Sequence, residues 1–276
     1  MAKLNYLNVG CGTKFHKDWV NVDMDSKAPE VIQVNLIKGI PFPDNTFEVV
    51  YHSQVLEHIP KENAPFFIEE CYRVLKPGGI LRVVLPDLEN IAKEYLKYLQ
   101  QNIDNPTEES EANYDWMLLE MYDQTVRNVP GGHMAEFFKT PKMVNEKFVI
   151  DRIGRVGRDI REAYLSGKSD RSNLSKAFSS PTMFKKALRF GLIKVAKMLG
   201  LYSKATEVGS FRLGGEIHMW MYDRYSLGKL LRQCGFSSAT VKSPSTSDIP
   251  NWDSYELDIR EGNAVDPTSL FMEAKK

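Results

Sequence analysis

Apolar and polar positions alternate along the first hundred residues in blocks that predict strands and helices in turn. Tyr6–Val9 is a short apolar run closed by glycine, as a strand buried on both faces reads. Trp19–Asp23 is a second run and ends on an acid; Val31–Leu36 is a third; Phe47–His52 is a fourth. From Lys61 to Leu75 the period changes. Ala64, Phe67, Ile68, Cys71, Val74 and Leu75 follow the i, i+3, i+4, i+7 spacing of a helix face, which Lys76-Pro77-Gly78-Gly79 ends. Ile80–Leu85 predicts a fifth strand. Asp87 then caps a helix to about Gln100, with Leu88, Ile91, Ala92, Tyr95, Leu96 and Leu99 on one face.

Strands joined by crossovers predict a mostly parallel sheet covered by helices. The pattern breaks near residue 101. Residues 101–215 are polar, rich in Met, Lys and Arg, and helical in period. Tyr225–Cys234 predicts a late helix stopped by Gly235, and Ala239–Lys242 and Ser269–Ala274 predict two final strands. The expected fold is α/β: a Rossmann-like, mostly parallel seven-stranded sheet with helices on both faces. Residues 1–100 and 216–276 form the sheet domain, and 101–215 a long, mainly helical insertion or lid.

Composition changes little. At 276 residues and 42% apolar the chain can bury a full core, and 26% charged residues suit a protein in water. No apolar run is long enough to span a bilayer, and the first residues lack the sections of a signal peptide. Cys11, Cys71 and Cys234 are odd in number and far apart, which argues for a reduced, cytoplasmic protein.

Charge is balanced overall but segregated. Gln101–Val126 holds seven acids and no Lys or Arg. Lys139–Lys204 holds sixteen basic residues against five acids. That stretch is a solvated helical face or a surface for an anionic acceptor or membrane. Within it, Phe184–Leu199 has the pattern of a basic amphipathic helix, as found at membrane surfaces and on helices packed against their own domain.

The chemistry starts at Leu7-Asn8-Val9-Gly10-Cys11-Gly12. Gly10 and Gly12 let backbone pass close to a ligand, and Asp23, eleven positions on, can accept hydrogen bonds from ribose hydroxyls. The third glycine and the longer offset of a dinucleotide fingerprint are absent. Further along come Pro41–Tyr51, the Leu56-Glu57-His58 segment, and Arg73-Val74-Leu75-Lys76-Pro77-Gly78-Gly79. In this order the segments resemble the class I S-adenosylmethionine-dependent methyltransferases of the type 11 group, strongly over about residues 4–90 and more weakly over 218–236 and 269–275.

The resemblance implies S-adenosylmethionine as methyl donor and S-adenosylhomocysteine as product. It implies that Gly10, Cys11 and Gly12 pass the methionine half, that Asp23 holds the ribose, and that Met24 lies on the adenine. Asn35 stands where the family usually has an acid facing the adenine amino group, followed by Leu36. His52, Ser53, Gln54 and the motif histidine His58 would complete the cofactor wall. The stretch from Gly12 to Asp23 is too short for a full crossover helix.

Candidate bases are His133, in a Pro-Gly-Gly turn of the insertion, and His218, where the α/β pattern returns. His52 and His58 read equally as packing residues. No His-x-His or His-x-x-x-His spacing points to a metal, and none is expected. Trp116, Tyr122, Phe137, Phe138, Trp220 and Tyr222 form either an acceptor pocket or core. The acceptor is expected to be a small molecule or glycan precursor, methylated on oxygen or nitrogen. The alternatives are a nucleic-acid methyltransferase, disfavoured because no base-flipping motif or RNA-binding module is present, and a membrane-surface binding protein using the 184–199 helix.

Overall fold

The computed structural model describes residues 5–26, 28–166 and 203–276. The 184–199 helix expected from the sequence lies outside them. Five strands open the chain: β1 (Tyr6–Val9), β2 (Val20–Asp23), β3 (Val31–Gln33), β4 (Phe47–Ser53) and β5 (Leu75–Pro86). After the helical region come β6 (Ser238–Lys242), the two-stranded ribbon β7 (Ile259–Arg260) and β8 (Asn263–Ala264), and β9 (Ser269–Lys275). The main sheet has seven strands in the order β3-β2-β1-β4-β5-β9-β6. All neighbouring pairs from β3 to β5 are parallel, while β9 runs antiparallel to β5 and β6. Strand order reverses between β1 and β4, and ligands of open α/β sheets bind beyond the carboxyl ends of the strands at such a point.

Helix α1 (Ala64–Val74) and a later helix cover one face. The expected helix start at Lys61 is a separate 3-10 turn, Lys61–Asn63, because Pro65 in the first turn of α1 donates no backbone hydrogen bond. Phe67, Ile68 and Cys71 of α1 pack on Leu7, Val9, Val50, Leu81 and Val83. The other face of β1, β4, β5 and β9 carries Tyr6, Val49, Tyr51, Val84 and Phe271. Over these lie Trp19, from the loop before β2, and Ile249, Trp252 and Leu257, from a late segment whose regular part is the 3-10 turn Trp252–Tyr255.

The loop from Gly12 to β2 holds no helix, as its length implied. Two buried strand asparagines satisfy its carbonyls instead. Asn8 Nδ2 donates to Lys14 O at 3.0 Å, and Asn21 Nδ2 donates to His16 O at 2.9 Å and Trp19 O at 3.0 Å. This explains polar residues at 1% exposure inside β1 and β2.

Helix α2 (Leu88–Asp104) starts on Asp87, whose Oδ1 accepts from Glu89 N at 3.0 Å. Its buried residues are Ile91 and Tyr98, while Leu96 is 59% exposed. The expected face is kept at Leu88, Ile91, Ala92, Tyr95 and Leu99, while Leu96 turns outward and Tyr98 joins the face by packing edge-on against Phe148 of a later helix. The region then runs through α3 (Glu108–Leu118), a π-turn (Leu119–Asp123), the short α4 (Gln124–Val126), α5 (Gly132–Lys139) and α6 (Glu146–Leu165). After the undescribed stretch come α7 (Lys204–Arg212) and α8 (Arg224–Gln233), and α8 joins α1 on the sheet. Trp116, Met117, Phe138 and Val149 form a core of their own between α3, α5 and α6.

Candidate functional site

The glycine loop leaves β1 at the switch point. Gly10 N and Cys11 N donate to Val22 O of β2 at 2.8 and 3.2 Å, so the chain turns sharply back. Gly10 has φ +66°, and a Cβ there would stand 2.5 Å from Val55 Cγ2. Gly12 has φ +52° with nothing within 4 Å of the Cβ position. The first glycine is required by its neighbour; the second keeps open space at the strand end. Asp23 lies across that space. Its Oδ2 accepts from Gly12 N at 2.8 Å and its Oδ1 from Asp25 N at 2.9 Å, which orients the carboxylate and leaves lone pairs on both oxygens. These residues fit the ribose of S-adenosylmethionine. Burial and the nearby Asp23 push the Cys11 thiol up to about 11, so it is a neutral wall residue.

The other cofactor candidates fall in different surroundings. Met24 is 57% exposed. Asn35 uses its Oδ1 to cap the 3-10 turn Leu36–Lys38, accepting from Ile37 N at 3.1 Å, and Leu36 packs partly against the main core. Ser53 ends β4. His52 is fully buried against Phe67 and presents no surface to a ligand. This corrects the expectation of a cofactor contact: on β4 the side chain at 52 shares the Val50 face, which α1 covers.

Gln54 has φ +56°, strained for a residue with a side chain, and is held by Gln54 N donating to Val84 O at 2.9 Å and Nε2 donating to Ser269 Oγ at 3.1 Å. It lines a cavity of about 410 Å³. The floor is the sheet edge at Gln54, Pro86, Asp87 and Ser269, and the roof comes from α4, α5 and α6 through Gln124, Met134, Phe138, Ile153, Val156 and Ile160. Gly154 makes this approach possible. It breaks the α6 geometry at φ +64°, and a Cβ there would lie 2.6 Å from Val265 O and from Pro267 Cδ. Polar groups also reach the cavity. Arg152 pairs with Glu120 through two 2.7 Å contacts, and Trp116 Nε1 donates to Glu120 Oε2 at 2.9 Å. Arg127 is tied to Glu216 at 3.3 Å.

His218 faces this cavity and His133 does not. His133 is exposed on α5, its backbone N–H donating to Asp123 Oδ1 at 2.7 Å. His218 is 5% exposed, and burial lowers its imidazole to about 3, so it is neutral. Beside it lie the two polar members of the Leu56-Glu57-His58 segment, on a 3-10 turn after β4. The rings of His58 and His218 meet edge-on at 4.8 Å. His58 Nδ1 is 3.0 Å from Ile217 O, and burial lowers its pKa. Glu57 is 1% exposed, and burial raises its carboxyl to about 8.

One ligand atom from each of Glu57, His58 and His218 lies within 4.8 Å of the others. This corrects the expectation that no histidines converge with a carboxylate. Local spacing could not find the set, because the fold brings residues 57 and 218 together from opposite ends of the helical region. Glu57 itself was overlooked inside its own motif, where an acid between two motif residues was the available signal. Of the six aromatic candidates only Phe138 lines the cavity; Trp116 and Tyr222 are core, and Tyr122 is 54% exposed.

A methyltransferase domain family matches residues 7–83. Demethylmenaquinone methyltransferase of Listeria monocytogenes is 28% identical over 140 residues, covering 46% of this chain and 56% of that protein. A protein of Mycolicibacterium smegmatis named "Probable S-adenosylmethionine-dependent methyltransferase" is 31% identical over 103 residues, 31% of this chain and 39% of its own. The chain thus spans about half the length, or less, of these curated relatives. A solved methyltransferase from Archaeoglobus fulgidus aligns over 99% of this chain and 86% of its own, at 11% identity and a TM-score of 0.39. Over residues 7–83 the chain thus carries a methyltransferase domain of the type 11 group, with the motif series and the sheet order that go with it.

Proposed function

We propose that this chain methylates an oxygen or nitrogen of a small molecule or glycan precursor held in the cavity roofed by α4, α5 and α6. The observation that carries the reading is the shared turn Ser53–Gln54–Val55. Val55 packs on Gly10 of the cofactor loop, and Gln54 lines the cavity, so donor and acceptor spaces meet at one strand end. A cavity of about 410 Å³ suits a metabolite-sized ligand and is too small for a flipped nucleotide with its flanking strand. Residues 1–100 and 216–276 would bind the cofactor, and 101–215 would form the acceptor lid. Three free buried cysteines fit a reducing, cytoplasmic setting. Among the described residues no helix is long and apolar enough to cross a membrane.

S-adenosylmethionine supplies a methyl group on a sulfonium, transferred by in-line displacement. The chain's part is positioning and exclusion of water. Asp23 would hold the ribose, Gly12 would clear the path of the methionine half, and Gln54 would set the wall between donor and acceptor. His218, neutral and facing the cavity, would help orient the acceptor's reacting atom.

Calorimetric titration with S-adenosylmethionine is expected to show one site per chain. Asp23→Ala is expected to weaken it by about tenfold or more, as loss of a charge-assisted hydrogen-bonding group does. A folded sample that does not bind, or binds equally well as Asp23→Ala, would refute the reading.

A further inference from the structure

Glu57 is the unusual group in this site. Its carboxylate is buried, and neither oxygen has a hydrogen-bond partner. A buried carboxylate without a partner is costly, and proteins retain one where a cation or ligand meets it. Among the described residues no ion pair reaches it, and Arg127, the cation beside His58 and His218, pairs with Asp123 and Glu216.

The backbone around the group is clamped. Met219 N and Trp220 N both donate to Glu57 O, at 2.6 and 3.2 Å, and His218 N donates to Gln124 O at 2.9 Å. Three separate segments are thereby fixed around one point. His58 is also oriented. Its Nδ1 donates to Ile217 O, which makes Nε2 the unprotonated nitrogen of the neutral ring. A histidine whose second nitrogen is held by a backbone carbonyl is the usual arrangement of a metal ligand.

We infer that Glu57, His58 and His218 form a binding site for a divalent transition-metal ion at the edge of the acceptor cavity. Two imidazoles and one carboxylate on three corners suit such an ion and leave further positions for a substrate. His218 lines the cavity, so those positions open toward the acceptor. The ligand atoms, within 4.8 Å of one another, need to close by about an ångström to reach metal-bond geometry.

The role of the ion rests on the proposed methyl transfer; its binding does not. An acceptor hydroxyl at the open position would lose its proton to water more readily. Its oxygen would then form the bond to the methyl carbon as the carbon–sulfur bond breaks, the electron pair staying on sulfur in S-adenosylhomocysteine.

The test is a titration of the metal-stripped full chain with Zn²⁺ by calorimetry and with Co²⁺ by visible absorption. One equivalent is expected, with a rise in melting temperature on Zn²⁺ addition. Glu57→Gln and His218→Ala are each expected to weaken Zn²⁺ by about a hundredfold and to abolish the thermal shift, while His16→Ala, outside the cluster, changes neither. Glu57→Gln keeps the shape and takes away an ionisable group whose two oxygens have no partner, so its unliganded melting temperature should not fall. His58→Gln provides an independent variant. No saturable binding by wild type, or equal affinity in Glu57→Gln, would overturn the site. S-adenosylmethionine titrated into the same samples separates the two readings. Cofactor binding without metal binding removes the metal site alone, and the reverse removes the methyl-transfer reading alone.

Discussion

Arg82→Ala is expected to lower the unfolding free energy by about 3–5 kcal/mol, the usual effect of removing one partner from a buried ion-pair network. Arg82 is completely buried in β5. Its Nε donates to Asp258 Oδ2 at 2.7 Å, and its Nη1 donates to Glu273 Oε1 at 2.7 Å and Thr246 O at 3.0 Å. Its Nη2 donates to Ser243 O at 2.9 Å, and its guanidinium lies 4.5 Å from the centre of the Trp252 ring. One side chain therefore fastens β5 and β9 to the segment over the second sheet face. Without it two carboxylates remain buried. Each keeps another partner: Tyr51 Oη donates to Asp258 Oδ1 at 2.7 Å, and Asp248 N donates to Glu273 Oε2 at 2.8 Å. Those bonds fix the carboxylates in place and prevent them from turning to water. Arg82→Lys retains a charge but loses the fork that reaches both acids, so its loss should lie between wild type and Ala. Urea denaturation with an unchanged slope is the measurement. The double variant Arg82→Ala, Asp258→Asn should lose less than the two single losses summed, because the charge left behind is gone. A loss below about 1 kcal/mol for Arg82→Ala would show the network to be solvated, against its burial.

This network marks a limit of sequence reading. Ile80–Leu85 is legible as a buried strand because five of its six residues are apolar, and Arg82 looks like a blemish in that run. Its partners lie on segments joined to β5 by the longest connections in the chain, and no local period encodes them. The first strands were legible for the opposite reason. Each of the first five is a short apolar run bounded by a turn, and β1, β2 and β4 stand within one residue of their expected limits. Asp23 and the glycine loop were legible because both sit on one β-loop-β unit, where sequence distance and spatial distance agree. Glu57, His58 and His218 split along this line. The first two are adjacent in a motif, and the third arrives only when the helical region closes on the sheet. The cavity roof was the least legible part, since it depends on a Gly154 kink that reads as a weak point in a helix and acts as the place where α6 meets residues 265–267.

His52→Leu is expected to flatten the acid limb of the stability curve by about 3 kcal/mol between pH 6.5 and pH 4. His52 is fully buried, and neither ring nitrogen has a partner. Burial alone lowers its imidazole from the ordinary 6.5 to about 3. The sign follows from which state takes the proton. Above about pH 6.5 both states are neutral at this position, and His52 adds no pH dependence. Below it the unfolded chain binds a proton that the folded chain refuses, so stability falls as pH drops toward the folded value. At 1.36 kcal/mol per pH unit, that limb is worth about 3 kcal/mol by pH 4. Carboxylates and His218 titrate over the same range, so the wild-type curve alone does not isolate it. The difference between wild type and His52→Leu does, because the other groups are common to both. Near pH 7 the variant should also gain about 1 kcal/mol, since two unsatisfied polar atoms are replaced by apolar ones of similar volume. Its S-adenosylmethionine affinity should stay at the wild-type value, as the side chain points at Phe67 beneath α1 and away from the cofactor loop. Parallel pH curves would mean that the imidazole is protonated or solvated in the folded state. An affinity loss with an unchanged fold would return His52 to the cofactor wall, and so would require β4 to present its other face at that strand end.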